Sequence, residues 1–378
     1  MLRLREYAPQ EADLAPEDLR AIVALTRGDE ARVLQSVTPT GTGRHVVVPG
    51  PFVGRLRLPS GLVLDIRSRF DLAELTALLA TYVGAPSLLR DDPVPSGEDD
   101  AGLVDLIAVA FVDELERLVG RGLPKGYVER TFTRPPFAGR PDVVTHLRRH
   151  AGRADRLVTR AQRITQDIAV NQVLAHAHAL LLRAPLRRPR TRSRLTAMVP
   201  ALSAISRPVD VDRAIRLARP RLPAHCRDVF DLAVLVVRGT SLLPEGVDRQ
   251  GAAVLFPMPK VWEAYVEKAI SDEAPSEHRV ARQVPVPITE PPDRTTGHAD
   301  VVEYDDDGRP VAVYDAKYKH FGRPSTDDLF QVFTYCRRLR CERGVLVLPG
   351  QGESWTVGMG EVTIALRGLP VLAARGVE

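Results

Sequence analysis

Apolar and polar residues alternate over short stretches near the start of the chain. Residues 44–48, 54–58 and 62–67 each read as a strand, and Pro59, Ser60 and Gly61 supply the turn between the last two. Helical spacing takes over at 71–83 and 102–119, on either side of a polar, proline-containing stretch at 91–100. A small β-rich domain closed by helices is therefore expected over residues 1–160. Residues 127–142 are rich in Arg, Pro and Gly and carry no period, whereas 167–183 (DIAVNQVLAHAHALLLR) has strong helical spacing. That helix opens a helical lead-in expected over 161–250, with further helices at 209–237 and a turn at 243–248.

The remainder, 251–378, predicts a mixed core. A helix is expected at 258–270, then strands at 280–288, 299–304 and 311–318, the last two joined by a hairpin tip at Asp305, Asp306, Asp307 and Gly308. Ser325 or Thr326 caps the next helix, on which Gln331 and Tyr335, four apart, share one face. Residues 344–348 (GVLVL) read as a buried strand. The fold class is α+β or α/β, with an N-terminal β-rich domain, a helical lead-in and a mixed sheet flanked by helices.

At 378 residues the chain exceeds the ~250–300 at which one core stops growing, which agrees with two or three domains. The apolar runs at 106–112 and 232–237 are far shorter than the ~20 residues a membrane span needs, and MLRLREYAPQ has no signal-peptide apolar region. A cytoplasmic protein without a membrane partner is expected. Cys226, Cys336 and Cys341 show no C-x-x-C spacing, which leaves buried or incidental thiols in place of a disulfide framework or zinc ribbon. The net charge of +4 permits a polyanionic partner without requiring one. Six arginines at 183–194 suggest a basic loop. Within it Arg187, Arg188, Arg190 and Arg192 are candidates for DNA phosphate contacts, and a solvated linker is the alternative.

The chemistry concentrates near the C-terminus. Side chains alternate along a strand, so Asp315 and Lys317 project together while Ala316 points away. If the hairpin closes at Asp306 and Asp307, antiparallel pairing sets Asp300 opposite Asp315, within reach of one cation. Few carboxylates and hard oxygen ligands suit Mg²⁺, which keeps waters and adds substrate phosphate oxygens. An isolated D-x-K would more simply be a surface ion pair. Here the apolar Val311 and Val313, the preceding Asp300 and the following capped helix favour a site.

Other candidates are weaker. His176 and His178 diverge on a helix, His298 precedes Asp300 by two on its strand, and the His225–Cys226 pair has no flanking nucleophile motif. The Gly41–Arg44 run reads as a hairpin turn, and no G-x-x-x-x-G-K-[ST] phosphate loop occurs.

The segments HAD, YDAKYK and QVFTY, in the order helix, three strands, helix, strand, resemble the PD-(D/E)xK nuclease superfamily over roughly residues 258–349. Within it the chain is most similar to the McrC family, the nuclease subunits of McrBC modification-dependent restriction systems. VWEAYVEKAI, DIAVNQVLAHA, YVERTFTRPPFAGRPDV and RLRLPSGLVLDIRSR extend the likeness beyond the catalytic strands. The resemblance implies a Mg²⁺-dependent endonuclease in which Asp300 and Asp315 bind the metal with the Ala316 carbonyl and Lys317 orients the attacking water. Glu263 assists through a water, and Gln331 and Tyr335 support the site. It further implies a McrB-like AAA+ GTPase hexamer as partner, docked on residues 1–160, and methylated duplex DNA as substrate. Asp315 stands where many members of the superfamily use Glu, and Arg67, Ser68 and Arg69 replace the family's Pro-Lys. Two rival readings share these residues: a non-catalytic adaptor that activates a partner NTPase, and a stand-alone repair nuclease.

Overall fold

A computed structural model describes residues 1–26, 32–41, 43–84, 102–153, 155–240, 253–289, 295–319, 322–352 and 355–371. The expected turn at 243–248 and polar stretch at 91–100 lie outside the described residues. The chain divides into two compact units, residues 1–104 with 238–378, and residues 105–237. This division differs from three consecutive domains at 1–160, 161–250 and 251–378.

The first unit is discontinuous because one sheet draws on both ends of the sequence. Strands β1 (Leu2–Arg5), β5 (Phe52–Arg57), β6 (Val63–Arg67) and β10 (Ala253–Pro257) pair in the order β1-β6-β5-β10. β10 runs antiparallel to β5, with Leu255 opposite Gly54. Gly54 is required there: its φ is +135°, and a Cβ would sit 2.0 Å from the Val254 carbonyl oxygen. Leu4, Leu56, Leu64 and Ile66 bury against Ile22 and Leu25 of helix α1 (Pro16–Leu25). Three further strands, β2 (Gln10–Ala12), β3 (Leu34–Pro39) and β4 (His45–Pro49), form a small sheet in the order β2-β4-β3. Helix α2 (Leu72–Val83) starts in a reciprocal capping box between Asp71 and Glu74 and stops at the left-handed Gly84.

A six-stranded sheet completes this unit. β11 (Arg279–Pro287), β12 (Thr296–Tyr304), β13 (Pro310–Ala316), β14 (Arg343–Pro349), β15 (Trp355–Met359) and β16 (Val362–Leu369) take the order β11-β12-β13-β14-β16-β15. β11, β12 and β13 form an antiparallel meander, and β13, β14 and β16 run parallel. Helix α10 (Met258–Glu273) packs on β11, β12 and β13, burying Trp262, whose indole N–H donates to the Val347 carbonyl at 3.2 Å. Helix α11 (Thr326–Leu339) begins in a second capping box, between Ser325 and Asp328, and lays Val332, Tyr335 and Cys336 on Val302, Val313 and Leu346.

The second unit holds α3 (Leu103–Arg121, its first two residues in the other unit), strands β7 (Gly126–Phe132), β8 (Arg140–Pro141) and β9 (Thr159–Thr165), and helices α4 (Val143–His150), α5 (Ala169–Arg183), α6 (Pro189–Ala197), α7 (Val199–Leu202), α8 (Val211–Ala218) and α9 (Arg227–Thr240, its last three residues in the other unit). The stretch without a period at 127–142 contains β7 and β8, whose residues are nearly all exposed, so no apolar alternation marks them. The expected basic loop at 183–194 is corrected: Pro189 starts α6, because a proline at the first helical position loses no intrahelical bond. Among the described residues no helix is long and apolar enough to cross a membrane. Cys226, Cys336 and Cys341 are buried free thiols.

At the edge strand β11, His278 Nδ1 and Glu303 Oε1 lie 2.7 Å apart, and the Tyr314 hydroxyl donates to Glu303 Oε2 at 2.6 Å. The bond to Glu303 raises the His278 pKa above its ordinary value, so its stabilisation is present below about pH 6.5 and is lost as pH rises through the folded-state value. His278→Ala should lower the melting midpoint clearly at pH 6 and little at pH 9 in paired thermal melts. An equal loss at both values would contradict a charged His278–Glu303 pair.

Candidate functional site

The site lies where the β12–β13 pairing ends. Val301 pairs with Tyr314, so Asp300 and Asp315 are the next residues in register. Asp300 continues the pairing with its side chain, Oδ2 accepting from the Ala316 N–H at 2.8 Å. β13 itself stops at Ala316, two residues short of the expected 311–318 strand, but the Lys317 N–H still donates to the Val347 carbonyl of β14 at 2.9 Å. That backbone bond keeps Lys317 beside Asp315.

The Lys317 amine is 2.8 Å from Asp315 Oδ2 and donates to Gln331 Oε1 at 2.8 Å. Gln331 in turn donates to the Tyr335 hydroxyl at 3.2 Å. The Lys317–Asp315 contact is a buried ion pair, and the ammonium is the neighbour that offsets the Asp315 charge. A Cβ at Gly297 would lie 2.7 Å from the Tyr335 ring, so a glycine at this point of β12 lets α11 bring Tyr335 against the sheet. Gln331 and Tyr335 thus act through their shared helix face.

Electrostatics set this cluster apart from a surface ion pair. Burial and the neighbouring Asp315 push the Asp300 carboxyl up to about 6. Burial likewise raises Asp315, which is 1% exposed, against the opposing pull of Lys317. Burial by itself would lower Lys317, but Asp315, Asp328 and Asp300 outweigh it, and the amine is held charged above its ordinary value. Two desolvated carboxylates and one retained ammonium therefore share the end of the sheet. Beside Lys317 a cavity of about 130 Å³ is lined by Lys319, Arg323, Ser325 and Asp328 among others.

Gln283 is a component that sequence reasoning missed. It stands opposite Asp300 on β11, between the pairs Arg282–Val301 and Val284–Ala299. Its side-chain amide donates to Asp300 Oδ1 at 3.3 Å and to Glu263 Oε2 at 3.4 Å, which ties Glu263 of α10 to the carboxylates. Its φ of +47° is a strained conformation for a non-glycine residue, of the kind retained where a side chain must be aimed. No turn signal or motif marks the position in the sequence.

The remaining candidates fall elsewhere. His298 is exposed on β12. His178 is buried against the Leu195 carbonyl at 2.7 Å, a packing contact. Arg187, Arg188, Arg190 and Arg192 belong to the unit of residues 105–237. The Arg187 and Arg188 backbone N–H groups donate to Asp105, Arg192 donates to the Leu182 and Ala184 carbonyls at the end of α5, and Arg190 is exposed. Arg192 therefore closes a helix end.

The fold can be compared with known structures. The refined half-complex from a tetradecameric assembly of Thermococcus gammatolerans McrB AAA+ hexamers with bound McrC contains a similar chain, 15% identical, with a TM-score of 0.60 over 98% of this chain and 94% of that one. A chain of the Thermococcus gammatolerans McrBC complex solved by cryo-EM is also 15% identical, with a TM-score of 0.46 over 72% and 88% of the two chains. The likeness to the first concerns the fold, a mixture of several sheets and helices. No curated protein matches in sequence. The family model described as "McrBC 5-methylcytosine restriction system component" matches residues 47–349, and the chain belongs to that family.

Proposed function

We propose that this chain is the Mg²⁺-dependent endonuclease subunit of a McrBC-type restriction system, hydrolysing phosphodiesters in methylated duplex DNA with an AAA+ GTPase partner whose hydrolysis it stimulates. The observation that carries this reading is the gathering of Asp300, Asp315 and Lys317 at one sheet end, with both carboxyls raised and the amine kept charged. The order α10, meander, α11, parallel β14 supports a PD-(D/E)xK core over these elements.

The donor set fits magnesium. Asp300, Asp315 and the Ala316 carbonyl would hold the ion. Among the described residues no cluster of three or more His, Cys, Asp or Glu is gathered as metal ligands, and so sparse a set suits a hard cation that keeps several waters. The burial of Asp315 and the repulsion that it exerts on Asp300 both favour a bound cation. Bound there, magnesium supplies a water of lowered pKa and offsets charge developing on the phosphate.

The chain's own residues do the rest. Lys317, charged and fixed by Asp315 and Gln331, donates hydrogen bonds to the attacking water and orients it. Gln283 holds the Asp300 carboxylate and keeps Glu263 within reach of a water in the site. Asp300→Ala and Lys317→Ala should each lower plasmid cleavage by at least roughly a hundredfold, about 3 kcal/mol in the barrier, with stimulation of the partner's GTP hydrolysis intact. Methylated and unmethylated plasmid assayed with Mg²⁺, with and without partner and GTP, tests the reading. Cleavage without partner would favour the repair nuclease, and stimulated GTPase with no cleavage the adaptor.

A docking surface for the partner is supported by the unit of residues 105–237. Helix α4 buries none of its residues and exposes Val143, Val144 and Leu147, while Tyr127 of β7 and Ile164 of β9 are also exposed. Val144→Asp combined with Leu147→Asp should abolish GTPase stimulation without changing the melting midpoint. Unchanged stimulation would move the docking surface elsewhere.

A further inference from the structure

Tyr318 directly follows Lys317, and nothing in the proposed hydrolysis uses it. Its side chain is buried, and its hydroxyl donates to Glu6 Oε2 at 2.8 Å, one residue past the end of β1. The guanidinium carbon of Arg69, just beyond β6, lies 4.1 Å from the Tyr318 ring centroid, and the Phe70 ring packs alongside at 6.1 Å.

The grip extends to the backbone. The Tyr7 hydroxyl donates to the Tyr318 carbonyl at 3.4 Å, and Tyr7 holds a φ of 60°. A non-glycine residue in that left-handed region is strained and persists only where its surroundings enforce it. The Glu6 N–H donates to the Arg67 carbonyl at 3.1 Å, so the gripping residues are themselves tied into the N-terminal sheet. Burial pushes the Glu6 carboxyl up to about 7, the mark of a desolvated cluster and not of a surface contact.

Lys317 is thus fixed from two directions, by its own backbone bond to Val347 and through Tyr318 by the first strands of the chain. Displacing a reacting group by about 1 Å costs on the order of a hundredfold in rate. We propose that Glu6, Tyr7, Arg69 and Tyr318 form a positioning cluster through which the N-terminal sheet sets the place of the Lys317 amine. The N-terminal sheet is then a structural part of the nuclease centre. This rests on Lys317 being the catalytic amine.

The test uses the full-length chain with its AAA+ partner, GTP and Mg²⁺, and the variants Tyr318→Phe, Glu6→Ala and Glu6→Gln. Two readouts are taken: kcat and KM for plasmid cleavage, and acylation of Lys317 by a succinimidyl ester, followed by mass spectrometry with Lys268 as internal reference. Tyr318→Phe and Glu6→Ala should lower kcat roughly tenfold with KM unchanged and raise Lys317 acylation relative to Lys268, because the amine leaves its contacts. Glu6→Gln, which still accepts a hydrogen bond, should restore both. Wild-type kcat and wild-type acylation in Tyr318→Phe would overturn the proposal, and this variant decides alone if Glu6→Ala fails to fold. Retained cleavage in Lys317→Ala would sink the catalytic reading separately, while the acylation result would still decide whether the cluster positions the amine.

Discussion

Two neighbouring carboxylates, Asp315 buried and Asp300 half-buried, set the electrostatics of the candidate site. Like charges out of water repel more strongly than solvated ones, and Asp315 adds to the rise of the Asp300 carboxyl. Asp300 and Asp315 are brought together by the β12–β13 register, so the sheet itself imposes this cost. The surroundings offset it in part, through the Ala316 N–H and Gln283 on Asp300 and the Lys317 ammonium on Asp315. What they leave unsatisfied appears in the raised pKa of both acids. A divalent cation would remove the remainder, and so the electrostatic strain and the proposed chemistry have one origin.

The elements around this pair serve to hold it. The capping box at Ser325 fixes the start of α11, which sets Gln331 on the Lys317 amine. Trp262 anchors α10 to the Val347 carbonyl, on the strand whose same backbone oxygen also accepts from the Lys317 N–H. Glu263, next to Trp262, then reaches Gln283. The β5–β10 pairing makes the first and last parts of the chain one compact unit, so the N-terminal strands and the carboxylates share a continuous body.

Much of this was legible in the sequence, for reasons that differ by element. The strands of the six-stranded sheet nearest the site were marked by apolar runs bounded by turn residues, and the Asp305–Gly308 tip fixed the register that sets Asp300 against Asp315. Gln331 and Tyr335 followed from helical spacing. Gln283 was invisible because its role depends on an unusual backbone angle and a cross-strand neighbour, neither of which a local pattern encodes. β10 was missed because Gly251 and Ala252 precede a very short apolar run, and its partner lies two hundred residues earlier in the chain. Pro189 misled in the opposite sense, as a breaker that in fact begins a helix.

The central claim is that Asp300 and Asp315 form a divalent-cation site. Calorimetric titration of the metal-free protein with Mg²⁺ at pH 6, in two buffers of different ionisation enthalpy, tests it most directly. The account predicts one site that releases protons on binding, because Asp300 is only partly ionised at that pH, and loss of the site in Asp300→Asn and Asp315→Asn. Binding of equal affinity in both variants, or no binding to the wild-type chain, would contradict it.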